Sequence, residues 1–188
     1  MSASVMVGLS IAVMLFWTMG AYNRLMRLRA HAITAFAAMA SVFAQYVALV
    51  KTNVPGQAGE CAIGAPDSAM GDWAAAWLGL EAAAEQFNVA LTVTQVRALN
   101  GPTLLALQMA LATLDLSWTR LRELPSDLAG QPLPATLPVQ WEQLTFQAEL
   151  ARAEFNRRVA SYNEAIGQFP ALLLARVFGF KPAQPILG

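Results

Sequence analysis

The stretch ASVMVGLSIAVMLFWTMGAY fills residues 3–22 and carries no charged side chain. A transmembrane helix needs about 20 predominantly apolar residues to cross a hydrocarbon layer about 30 Å thick. We therefore expect residues 1–22 to form a transmembrane anchor. Arg24, Arg27 and Arg29 follow it directly, and cytoplasmic flanks of membrane helices are enriched in Arg and Lys. The pattern predicts a single-pass protein of the inner membrane, with its N-terminus outside and the rest of the chain in the cytoplasm.

The composition of the chain limits its partners. Lys and Arg balance Asp and Glu, with 12 of each class, so no large basic field is available to hold nucleic acid. Charged residues make up 13% of the 188 residues, against about a quarter in a typical soluble domain. Surfaces with so few charges are expected to contact lipid or other protein subunits. Cys61 is the only cysteine, so it cannot form an intramolecular disulfide.

Four segments have the apolar spacing of bundle helices, with steps that alternate between three and four residues. They span residues 23–52, 68–99, 102–123 and 138–169. No proline or glycine lies between Tyr22 and Asn53, so the first segment should continue from the anchor. We predict an all-α fold. An N-terminal transmembrane helix is continuous with an antiparallel, up-and-down four-helix bundle over residues 23–170, and an apolar tail follows over residues 171–188.

Two alternatives to this topology remain open at the sequence level. Residues 31–50 carry no formal charge with His31 neutral, so they could form a second membrane span, with residues 24–29 as the turn. The third helix could also extend the second through a kink at Asn100-Gly101-Pro102 instead of folding back.

Two apolar surfaces lie outside the predicted seams and are expected to be shielded from water by lipid or protein. The tail could lie in the membrane interface, or it could cap the end of the bundle. The back of the first helix is apolar as well, and it could contact a second subunit. Its residues are Ala30, Ile33, Ala37, Ala38, Ala40, Phe43, Val47 and Val50.

Both ends of the domain resemble the LemA family. Residues 22–29, YNRLMRLR, are similar to the family's Y-N-x-L-V-x-L-R after its membrane helix. Residues 153–170, AEFNRRVASYNEAIGQFP, and 178–181, FGFK, resemble its C-terminal pattern N-x-x-V-x-x-Y-N-x-x-I-x-x-F-P, then F-G-F. The chain departs from the family at residues 45–50, where QYVALV replaces a charged run. The motif residues are Tyr22, Asn23, Arg29, Asn156, Tyr162, Asn163, Phe169, Pro170, Phe178, Gly179 and Phe180.

The resemblance implies a membrane-anchored helical bundle with no established catalytic activity. The sequence itself contains no nucleophile–base pair and no Gly-rich phosphate loop, and its single histidine, His31, cannot supply a di-metal site. We therefore expect a non-enzymatic protein without a cofactor or a metal ion. We expect a scaffold that organises the membrane, with lipid and either further copies of itself or a membrane protein as partners. The alternative is an adaptor or sensor subunit of a membrane signalling complex.

Two Tyr-Asn pairs are expected to meet in this fold. Antiparallel first and fourth helices would bring Tyr22-Asn23 and Tyr162-Asn163 to the membrane-facing end of the bundle. Each asparagine could bond to a carbonyl or to the other tyrosine. The hypothesis is that the two pairs lock the anchor to the bundle.

Overall fold

The computed structural model describes residues 3–54, 69–124 and 133–186, and this part of the chain contains five helices and no strand. Cys61 lies outside the described residues. So do Asp67 and Ser68, either of which is expected from the sequence to cap the start of the second bundle helix. The helices are α1 (Ala3–Asn53), α2 (Ala69–Val96), α3 (Gly101–Glu123), α4 (Thr136–Gly167) and α5 (Ala171–Phe178). The predicted all-α class is confirmed.

The first helix is unbroken over 51 residues, which at 1.5 Å per residue is about 76 Å. It passes straight through Arg24–Arg29, so no turn separates the N-terminal apolar segment from residues 31–50. Those later residues supply core side chains, among them Phe36, Met39 and Tyr46, each at most 2% exposed. The arrangement is therefore the predicted continuous helix and not the hairpin of two spans.

Helices α1 and α4 pack antiparallel along their seams. Phe36 meets Phe155 edge-on at 5.7 Å, and Tyr46 meets Trp141 edge-on at 4.9 Å. Because the residue number rises along α1 while it falls along α4, the helices run in opposite directions. The Tyr46 hydroxyl, which lies in this interface, donates to Thr145 Oγ1 at 3.0 Å. A buried hydroxyl needs such a partner to offset its lost hydration.

The opposite side of α1 packs against α2, which covers four of the eight residues of the apolar back. Phe43 meets Phe87 of α2 edge-on at 5.4 Å. Ala40, Val47 and Val50 are buried as well. Of the residues predicted to form a subunit contact, only Ala30, Ile33, Ala37 and Ala38 remain exposed. The helix is apolar all round because neighbours cover it on two sides.

Helix α3 folds back on α2, which decides the other open question of topology. The turn ends at Asn100, which caps the start of α3: its Oδ1 accepts a hydrogen bond from the Thr103 amide at 3.3 Å. At the far end of α3, Trp118 stacks on Trp141 of α4 with ring centroids 4.5 Å apart. The four long helices thus run up, down, up and down.

Candidate interaction surface at the proximal end

The N-terminal apolar segment, residues 3–21, projects from one end of the bundle, which we call the proximal end. Its side chains from Val5 to Met19 are largely exposed, and Phe16 reaches 84%. One bundle contact lies between the rings of Trp17 and Phe169, at 5.3 Å. Within the described residues, one helix, α1, is long and apolar enough to cross a membrane by length and composition. At about 28 Å, residues 3–21 match the thickness of a hydrocarbon layer.

The part of the C-terminal segment that follows α5, residues 179–186, runs antiparallel along α4 and is held there by two asparagines. From here on, the tail means these residues. Asn163 donates Nδ2 to the Ala183 carbonyl at 2.8 Å and accepts the Ala183 amide at 2.9 Å. Asn156 makes the same pair of bonds to Ile186, both at 2.8 Å. Each carboxamide therefore pairs with both backbone groups of one tail residue, as a neighbouring strand would.

The spacing of the two asparagines matches the rise of the tail. Asn156 and Asn163 lie seven residues apart, which is about 10.5 Å along a helix and two turns on the same face. Ala183 and Ile186 are three residues apart, about 9–10 Å in an extended or polyproline chain. Both are buried, while Pro182, Gln184 and Pro185 are exposed, a period of three that is typical of polyproline II geometry. The two prolines restrict the tail to extended backbone before it docks.

The start of the tail contacts the point where α1 enters the bundle. Gly179 adopts φ +70° and ψ +25°, and the Phe180 amide donates back to the Ala175 carbonyl at 2.9 Å. This left-handed cap turns the chain so that Phe178 and Phe180 flank Tyr22, with ring centroids at 5.4 and 6.2 Å. The motif residues near both ends of the chain therefore meet in one cluster.

The two Tyr-Asn pairs are not joined by a hydrogen bond among the described residues, so their role as a lock between anchor and bundle stays a prediction. The Tyr162 hydroxyl donates to the Lys181 carbonyl at 3.3 Å, and Asn163 bonds to the tail and not to Tyr22. Asn23 is exposed, and its side chain makes no hydrogen bond with the described residues. Contact with α1 is made instead by the rings of Phe178 and Phe180, which pack against the ring of Tyr22. The tail is thus the piece that joins α4 to the start of the bundle part of α1.

A groove of about 510 Å³ opens where four elements meet at the proximal end. Its walls come from α1, from the α2–α3 turn at residues 95–100, from Tyr162 of α4 and from residues 178–181. Three cations, Arg29, Arg97 and Lys181, line it, and no carboxylate does. Burial raises the pKa of the Tyr162 phenol, and the positive charge of Arg29 opposes that rise.

Charge is polarised along the bundle although the chain has no net charge. On the proximal side of the Phe36–Phe155 contact, or level with it, eight cations face two carboxylates. They are Arg24, Arg27, Arg29, Arg97, Arg157, Arg158, Arg176 and Lys181, against Glu154 and Glu164. On the opposite, distal side the described cations Lys51, Arg120, Arg122 and Arg152 are outnumbered by Asp72, Glu81, Glu85, Asp115, Glu123, Glu142 and Glu149. The end that carries the apolar segment is therefore the basic end.

Helix α5 adds an exposed apolar face beside this groove. Ala171, Leu174 and Ala175 face the bundle, whereas Leu172, Leu173, Val177 and Phe178 are more than half exposed. Arg176 is exposed in the same helix. Of residues 171–188, the end packs against the bundle, and helix α5 leaves an apolar face uncovered next to the exit of the N-terminal segment. A place for that face in the membrane interface stays a prediction.

The remaining motif residues lie close to the same end. Phe169 is 62% exposed, because α4 ends at Gly167 and leaves the last apolar position of the heptad outside the core. Together with Pro170 and Arg24 it lines a second groove of about 380 Å³ against the N-terminal segment. Arg27 and His31 are exposed. Arg97 and Lys181 are not among the motif residues, and only the fold brings them into one groove with Arg29.

In residues 3–54, 69–124 and 133–186, no group of three or more His, Cys, Asp or Glu side chains is arranged to hold a metal ion. The model of the LemA family matches residues 106–186, a range that includes the motif residues from Asn156 to Phe180 but not those at Tyr22–Arg29. Neither curated proteins nor solved structures include one that matches the chain.

Proposed function

We propose that the chain is a non-enzymatic, membrane-anchored scaffold of the LemA type, a proposal supported by the match of that family's model to residues 106–186. In this proposal residues 3–21 span the inner membrane once, and the bundle lies on its cytoplasmic surface, where it organises the membrane by association with further copies. The observation that carries the proposal is the exposed apolar segment that leaves the basic end of the bundle. An apolar surface of that size is not tolerated in water.

The distribution of charge supports the orientation. Arg24, Arg27 and Arg29 stand directly after the apolar segment and are exposed. Cationic flanks of a span stay on the cytoplasmic side, which puts the bundle there and the N-terminus outside. A tag at the C-terminus that is digested by protease only after the cells are opened is the expected result. Digestion on intact cells would contradict this orientation.

A surface for self-association is available on the α2–α3 hairpin. Val89, Val93 and Val96 follow one face of α2, and Leu105, Met109 and Leu116 follow α3. All six are more than half exposed, in helices that pack against each other. Since α2 covers the larger side chains of the back of α1 except Ile33, this hairpin is the surface that we propose joins neighbouring copies.

Cross-linking of the full chain in native membranes tests the scaffold. A ladder of self-adducts that is lost in a Val93→Glu, Met109→Glu variant supports it. The matched control is Phe146→Glu, Leu150→Glu, which places the same charges at exposed apolar positions of α4 and should keep the ladder. A monomer under all conditions would contradict self-association. One dominant adduct with a different protein would favour the adaptor or sensor subunit instead.

A further inference from the structure

We propose that the groove lined by Arg29, Arg97 and Lys181 binds the phosphate of an anionic phospholipid headgroup. The inference rests on the proposed membrane anchoring but not on self-association. It assigns the bundle a specific lipid contact, in addition to the anchor that any single span provides.

The first argument is electrostatic. The three cations come from α1, from the α2–α3 turn and from the tail, so only the folded chain brings them together. None of them forms an ion pair with the described residues, and the ion pairs of the described chain are Lys51–Glu85, Glu154–Arg157 and Glu154–Arg158. Unpaired cations that converge on a groove without a carboxylate repel one another. A dianionic or monoanionic phosphate would relieve that repulsion and accept several charge-assisted hydrogen bonds.

The second argument is position. Arg29 follows the end of the apolar segment at residue 21 by about 12 Å of helix. The polar interfacial layer of a bilayer is about 5–8 Å thick on each side, and Arg and Lys side chains reach several ångströms toward it. Phe178 lines the groove and belongs to the exposed apolar face of α5. A face of that kind beside basic residues is typical of helices that lie in the interface plane. The groove therefore lies just beyond the headgroup layer, within reach of it for the long side chains of Arg and Lys.

The third argument is the construction of the groove. Its wall at residues 178–181 is fixed by the left-handed turn at Gly179 and by the bond from Tyr162 to the Lys181 carbonyl. The tail beyond is held by two bidentate asparagines. The backbone that carries Lys181 is thus positioned before any ligand arrives, and preorganisation reduces the entropic cost of binding. Its volume of about 510 Å³ is in the range of small-molecule sites and exceeds what a bare phosphate fills.

The test uses the full chain in nanodiscs of phosphatidylcholine that contain a minor fraction of a photoactivatable phosphatidylglycerol. Cross-links mapped by mass spectrometry are expected on peptides that include residues 95–101 and 178–181. A variant with Arg97→Gln and Lys181→Gln should lose about tenfold or more of this labelling, since each cation near an anionic surface accounts for about fivefold in affinity. Arg29 is left in place so that the insertion orientation is unchanged.

The matched control is Arg120→Gln, Arg122→Gln. It removes the same charge from exposed, distal positions of α3 and should label like the parent chain. Arg97→Lys keeps the charge and should retain most of the labelling. Equal labelling of the groove variant and the control would overturn the proposal.

A further arm separates the two sources of phosphate. The full chain in nanodiscs of pure phosphatidylcholine is titrated with glycerol 3-phosphate and with inorganic phosphate, and calorimetry measures the binding of each. Weak or absent binding supports a lipid headgroup, whereas saturable binding of either soluble ion at micromolar concentration would overturn the lipid assignment. Failure of the chain to enter nanodiscs at all would refute the proposed anchoring, which is a different result from loss of labelling in an inserted chain.

Discussion

Tyr22 and Phe178 are separated by 156 positions in the chain, yet their ring centroids lie 5.4 Å apart. Tyr22 stands where α1 enters the bundle, and Phe178 ends α5. Their contact depends on the tail, because Asn156 and Asn163 hold the residues that follow. Anything that releases the tail should therefore loosen the proximal end as a unit, including the wall of the basic groove.

Removal of one tail clamp tests that dependence. Asn163→Ala should lower the free energy of unfolding by about 1–3 kcal/mol, because the amide and carbonyl of the buried Ala183 would be left without partners. Thermal unfolding in detergent and protease cleavage within residues 179–186 are the measurements. The control is Asn23→Ala, which alters an exposed asparagine and should change neither. Equal effects of the two substitutions would show that the clamp carries no stability.

Gly179 tests the turn that starts the tail. With φ at +70°, an L-residue there is strained, and Gly179→Ala should destabilise the protein by about 1 kcal/mol even though a Cβ would meet open space. Gly79→Ala is the matched control: it lies inside α2, also in open space, and should stabilise by about 0.5–1 kcal/mol through helix propensity. Opposite signs of the shift in thermal midpoint are the expected outcome. A stabilising Gly179→Ala would argue against the left-handed turn.

The register of α4 can be tested with two phenylalanines of the same helix. Phe155 is fully buried against Phe36, so Phe155→Ala should cost about 3–5 kcal/mol of unfolding free energy. Phe146 is 63% exposed, and Phe146→Ala should stay within about 0.5 kcal/mol of the parent. Chemical denaturation of the detergent-solubilised chain measures both. A larger loss at Phe146 would mean that the helix is rotated.

The pH dependence of one surface cluster follows from Glu154. Hydrogen bonds from Arg158 and Arg157 lower the pKa of its carboxyl, so the ionised form is favoured in the folded state. A lowered acid pKa contributes stability above the unfolded-state value of about 4.3, and that contribution is lost as the pH falls through the folded-state pKa.

Glu154→Gln should therefore lower the thermal midpoint slightly at pH 7 and leave it unchanged at a pH below both pKa values. Glu142→Gln is the control, since Glu142 has the same charge on the same helix and no ion pair with the described residues. A Glu154→Gln deficit that persists undiminished in acid would mean that packing, and not charge, is responsible.

The depth of α5 can be measured with a single label. In a chain with Cys61→Ser, a spin label at Leu173→Cys should be accessible to oxygen and shielded from an aqueous relaxant in nanodiscs, because its face is exposed beside the basic groove. Leu150→Cys is an equally exposed leucine of α4 nearer the middle of the bundle, and its label should contact water. The same accessibility at both sites would place α5 away from lipid.

Several elements could be predicted from the sequence because their causes are local. The apolar residues of α2 that recur at steps of three and four, from Trp73 and Trp77 to Leu91, are buried, since a 3.6-residue period fixes which face turns inward. The break at Asn100-Gly101-Pro102 carries its own capping chemistry. Glu154 and Arg158 pair as an i,i+4 spacing requires.

Other features depend on how the helices and the tail pack against each other, and such packing could not be predicted from sequence patterns alone. The apolar back of α1 could be interpreted as a subunit contact because nothing in residues 30–50 shows that α2 covers part of it. Arg97 and Lys181 are ordinary surface residues until the turn and the tail bring them beside Arg29. The interval of seven between Asn156 and Asn163 was visible, but its meaning required the antiparallel tail with a rise that matches it.

The unbroken course of α1 fixes a distance as well as a direction. With residues 3–21 in the bilayer, residues 22–53 advance about 48 Å along the helix axis, which is about six screening lengths at physiological ionic strength. The carboxylate-rich far end is then electrically independent of the lipid below it. A molecule that docks at the far end meets the same electric field whatever the lipid composition, whereas the field at the near end depends on the lipid.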